Sequence, residues 1–203
     1  MSLRSFSVVV TTLTILGSGL SATGNVEATD ASAVKTSSPQ PAQNYWFEVE
    51  YKNLAKAPEC RGFSIDAAGQ VCTYNLGQEK WEPAQPESLT EDELFKKYEH
   101  GKRCDAPIDA PTFRKFTALV PSAAKGEMSE RKSTCFDAGT LAVRAFSFDK
   151  ASGRYHPVLL SIGGDFESHS LSPDAAAIVV WLKSLRPEYS KPPCSEPPEG
   201  AKR

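Results

Sequence analysis

The chain has 203 residues, of which 40% are hydrophobic and 24% charged, with a formal net charge of −2. That length can bury the core of a single domain. So even a balance leaves no basic stripe for nucleic acid or for an anionic membrane surface.

Arg4 is the only charge ahead of Glu27. Behind it runs a mostly apolar stretch, residues 8–20, too short and too rich in Ser, Thr and Gly to span a bilayer. A positive start, an apolar middle and small residues at the exit predict a secretory signal peptide over residues 1–28, with cleavage after Ala28 or, alternatively, after Ala22. The mature chain is then expected to be secreted or periplasmic, with no membrane association once the signal is removed. Residues 29–43 are rich in Ser, Thr, Pro and Ala without an apolar period and read as a disordered linker.

The expected globular region covers residues 44–186. Tyr45, Phe47, Val49 and Tyr51 alternate with Trp46, Glu48 and Glu50, which predicts a strand with an aromatic-rich buried face. Residues 62–66 and 70–75 flank Ala67-Ala68-Gly69 as a hairpin. Thr90 and Glu93 form a capping box for a helix running to Glu99 and stopping at Gly101, with Leu89 stapled to Leu94. Its charges, acids first and bases last, read as a solvated helix face. Phe113, Phe116 and Val120 suggest a helix over residues 111–120. Residues 140–148 and 155–162 form a second hairpin, and a phase slip in its first strand calls for a bulge or for burial of both faces. Ser172 and Pro173 open a last helix, which buries Ile178, Trp181, Leu182 and Leu185 and ends before Pro187. Residues 187–203 hold five prolines and read as a flexible tail. Clustered rather than alternating elements predict an α+β domain: an antiparallel sheet of about five strands, with two or three helices packed on one face.

The cysteines are Cys60, Cys72, Cys104, Cys135 and Cys194. In an oxidising compartment they form cross-links, and the expected pairs are Cys60 with Cys72 and Cys104 with Cys135, each worth about 3–4 kcal/mol. The alternative is that Cys194 ties the tail down and one other thiol stays free. No C-x-x-C occurs, and His100 with Cys104 falls short of a zinc site, so no metal and no cofactor are expected.

His156, at a strand start, reads as a histidine satisfied by backbone. His169, with Asp165 and neighbouring serines in an expected loop, offers nucleophile, base and orienter, although residue types alone do not make a triad. Gly163 and Gly164 read as a turn in which Asp165 bonds backbone. No catalytic residue is assigned. The favoured reading is a bacterial-type exported domain acting as a binding module, through Asp165, Phe166 and His169, on an envelope or extracellular protein or polymer. The competing readings are a secreted hydrolase using His169 or His156 with a carboxylate, and a protease inhibitor.

Overall fold

The computed structural model describes residues 42–55 and 58–189. The expected signal peptide, most of the linker, the proline-rich tail beyond Tyr189 and Cys194 lie outside the described residues.

The first expected strand is β1 (Tyr45–Asn53), and the first hairpin is β2 (Glu59–Asp66) with β3 (Val71–Gly77). Asp66 closes the turn: its Oδ1 accepts from the backbone N–H of Ala68 and of Gln70, each at 2.9 Å. Helix α1 (Glu91–Glu99) has the full capping box, with Thr90 and Glu93 bonding each other's backbone N–H. A two-residue strand, β4 (Arg103–Cys104), follows. The expected helix over 111–120 is instead two pieces, α2 (Ala110–Thr117) and the single turn α3 (Val120–Ala123), with Asp109 capping the first. After β5 (Lys132–Ser133) come the long hairpin β6 (Thr140–Asp149) and β7 (Arg154–Gly164), then β8 (Phe166–His169) and α4 (Pro173–Leu185). Ser172 caps α4 through its side chain, as its sequence position predicts.

The strands form one antiparallel sheet in the order β4-β3-β2-β1-β6-β7-β8-β5. The architecture is α+β in a single domain, but the sheet has eight strands rather than about five. The five anticipated are β1, β2, β3, β6 and β7, each at least seven residues long. The added strands hold two, two and four residues. Too short to show a period of two, they exist only because a long neighbour offers a hydrogen-bonding edge.

Helices cover both faces of the sheet, a second departure from expectation. On one face Phe47, Val49, Phe63, Ile65 and Val143 pack under Ile178, Trp181 and Leu182 of α4. Trp181 stacks on Phe116 of α2 at 4.1 Å and meets Phe47 edge-on at 5.3 Å. Each large apolar side chain buried here contributes on the order of 2 kcal/mol. On the other face Leu94 and Tyr98 of α1 pack against Tyr74, Leu76, Phe146 and Tyr155. Two-sided burial accounts for the phase slip in β6, where Val143 and Phe146 are both core residues, one per face. The anticipated bulge is present as well: β7 carries the extra residue, Leu160, opposite the step from Val143 to Arg144. A short 3-10 turn, Pro187–Tyr189, follows α4 and buries Tyr189 against Phe63.

Candidate functional site

The segment expected to be a loop before α4 is a strand. β8 pairs with β7 through Ser161 opposite His169 and with β5 through Lys132 opposite Glu167. The chain reverses into it at Gly164, where φ is +113° and a Cβ would lie 2.1 Å from the Gly139 carbonyl oxygen, so only glycine fits. Alternation then separates the three expected site residues. Asp165 turns back to accept the Ala138 N–H at 2.9 Å, the backbone bond foreseen for it. Phe166 points to the α1 side of the sheet and lies 3.8 Å beneath the Arg131 guanidinium. His169 faces α4, together with Glu167 (paired strand residues share a face).

His169 lines a cleft of about 440 Å³ between the outer strands and α4, with Ser129, Lys132, Ser161, Glu167 and Lys183. Leu141 and Val179 provide its apolar floor and wall. Lys183 is half-buried there; burial pushes its amine below the ordinary value, and the Glu167 charge only partly offsets this. Sequence reading missed Lys132, Glu167 and Lys183. The first two sit on strands too short to carry a pattern, and Lys183 is in the last turn of α4, where the helix dipole favours any cation.

Ser129 places its Oγ 3.4 Å from His169 Nδ1. That hydroxyl already accepts the His169 backbone N–H at 3.0 Å, and Ser168 Oγ donates to the Ser129 carbonyl at 2.8 Å. Among the described residues no carboxylate hydrogen-bonds to His169. His156 places Nδ1 3.1 Å from the Glu87 carbonyl, the backbone partner expected of it.

The least anticipated arrangement lies under α1. Glu48 and Glu50 of β1, expected on a solvent-facing side, are buried, as is Lys97 of the supposedly solvated helix face. Lys97 Nζ lies 2.6 Å from Glu48 Oε1 and 2.5 Å from Glu50 Oε2. Arg144 Nη1 bridges Glu48 Oε2 and Glu50 Oε1 from β6, both at 3.0 Å, closing a ring of two anions and two cations. Tyr74 and Tyr98 also donate to Glu48 Oε1, at 2.9 and 3.1 Å, and Lys97 sits 4.3 Å over the Trp81 ring. Burial alone would raise the Glu50 carboxyl, but the Lys97 and Arg144 charges outweigh it and hold it at about 2. Burial would lower the Lys97 amine, and the two glutamates instead raise it. With its charges balanced and its acceptors filled, the ring clamps α1 to the sheet; chemistry on a substrate is not what it is arranged for.

Neither of the two favoured cysteine pairs forms, and one thiol stays free, as in the alternative. Cys72 and Cys104 stand opposite each other on β3 and β4 and are disulfide-bonded, with a Cα–Cα distance of 4.0 Å. Cys60 is a buried free thiol. It cannot reach Cys72 because Cys60 is opposite Gly77, whereas Cys72 is opposite Ser64, further along the same hairpin. Cys135 is also disulfide-bonded, and not to Cys104. Among the described residues no group of three or more His, Cys, Asp or Glu side chains is placed to hold a metal ion. Comparison of the chain with protein-family models, with curated proteins and with solved structures finds no match in any of the three.

Proposed function

We propose that this protein is an exported, disulfide-containing binding module, and that it grips an envelope or extracellular partner through the cleft between α4 and β8. The observation that carries the reading is the placement of side chains around the cleft. Lys132, Glu167 and His169 project from adjoining strands onto the face that Lys183 reaches from α4. Side chains anchored on paired strands lose little freedom when a partner docks, which is how a rigid platform gains affinity. The Cys72–Cys104 bond is compatible with maturation in an oxidising compartment.

A photo-reactive residue placed at Val179, on the cleft wall, is expected to give a discrete adduct in cells that export the protein. The same probe at Lys150, on the exposed β6–β7 turn, serves as the control. Equal labelling from both positions, or none from Val179, overturns the reading; so does retention of an intact Met1 in the native protein.

The hydrolase reading has one observation in its favour, the approach of Ser129 Oγ to His169 Nδ1. Its geometry is poor for catalysis: the contact is long, at 3.4 Å, and among the described residues no carboxylate hydrogen-bonds to His169 to orient it. Ester and peptide turnover by the purified protein that disappears in both Ser129→Ala and His169→Ala would establish it instead.

A further inference from the structure

The far end of the sheet carries a second groove, of about 560 Å³, on strands β2, β3 and β4. Arg61, Thr73, Asn75, Gly101, Arg103 and Tyr189 line it. Asn75 is opposite Arg61, and Thr73 is opposite Arg103. Two strand spacings across and two residues along put the arginine Cα atoms about 12 Å apart. Their long side chains can then close on a ligand of several heavy atoms from two sides.

The two arginines differ in a useful way. Arg61 is already held: Glu59 Oε1 lies 2.5 Å from its Nε, and its guanidinium sits between the rings of Tyr51 and Tyr189 at 5.3 and 5.6 Å. It nevertheless keeps a side-chain exposure of 41%. Arg103 is exposed and, among the described residues, has no carboxylate within ion-pair distance. The neighbouring acids Asp105 and Glu188 are both engaged by Arg186. The groove therefore combines one preorganised guanidinium with one uncompensated cation.

We propose that this groove binds a ligand bearing paired oxyanions, phosphate or carboxylate, between Arg61 and Arg103. A guanidinium offers parallel N–H donors that match either oxyanion, and charge-assisted bonds of that kind are stronger than neutral ones. The groove is separate from the cleft beside α4, so neither proposal depends on the other.

The test is calorimetric titration of the full-length oxidised protein with pyrophosphate and, separately, with citrate. At least one is expected to bind saturably and to weaken as salt is added. Arg103→Gln is expected to lower that affinity about tenfold or more, whereas Lys150→Gln on the distant turn leaves it within about twofold. Amide shifts at Thr73 and Asn75, not at Lys183, locate the ligand. Binding of pyrophosphate alone identifies a phosphate source and of citrate alone a carboxylate source; both outcomes support the site. No saturable binding, an unchanged Arg103→Gln variant, or an equal loss in Lys150→Gln overturns it.

Discussion

Lys97 and Glu48, 49 residues apart in the chain, meet as a buried ion pair with Nζ 2.6 Å from Oε1. Both side chains are at most 3% exposed. The pair joins a helix to the strand at the middle of the sheet, so α1 is held by charge as well as by the packing of Leu94 and Tyr98. A buried ion is tolerated only while its partners stay in place.

Lys97→Met is therefore expected to cost about 3–5 kcal/mol, because it leaves two buried carboxylates sharing one arginine. Urea unfolding at neutral pH measures this. The double variant Lys97→Met, Glu50→Leu restores the charge balance and should recover part of the loss. A single variant as stable as the parent would show that the ring does not hold α1.

Acid should unfold the protein through the same ring. The Glu50 carboxyl is held at about 2, below its ordinary 4.5, so its contribution is complete above pH 4.5 and is lost as pH falls through about 2. Stability measured by urea unfolding is expected to decline over that window. In Lys97→Met the carboxyl loses one of its two cations and is held down less, so the decline below pH 4.5 should be smaller. Identical acid profiles for the two proteins would contradict this assignment.

Peptide mapping of the non-reduced protein should recover Cys72 linked to Cys104, together with a second linked peptide containing Cys135. Burial, with the Glu50 charge, pushes the Cys60 thiol up to about 12, so iodoacetamide at pH 8 should modify it only after unfolding. Cys104→Ser is expected to cost about 3–4 kcal/mol by releasing a closed loop. A Cys60–Cys72 peptide would refute the strand register described above.

Gly62→Ala probes how closely the sheet wraps around Tyr74. A Cβ at position 62 would lie 2.1 Å from the Val49 carbonyl oxygen and 2.8 Å from the Tyr74 hydroxyl, which itself donates to Glu48. The substitution should cost roughly 3 kcal/mol, the upper end for overpacking. It should also disturb the ion ring, visible as a smaller loss of stability between pH 4.5 and 2.

Much of this architecture is legible in the linear chain because its signals are local. The turn at Asp66, the capping box of Thr90 and Glu93, the Ser172 cap and the five long strands each depend on residues within one or two turns of one another. The α+β class follows from their order. At the candidate site the sequence reached His169 but not its neighbours in the cleft, Lys132, Glu167 and Lys183.

What only the folded chain decides is which side of an element meets protein and which meets water. The alternation in β1 placed Glu48 and Glu50 together on one face but could not say that α1 would cover it. The charge order of α1 was real, yet Lys97 lies beneath the helix because two carboxylates from a distant strand await it there. The cysteine partner, the two-residue edge strands and the grouping of Lys183 with Glu167 all rest on contacts between segments far apart in sequence. Periodicity records the period of a segment, and the identity of what packs against it is set by tertiary structure alone.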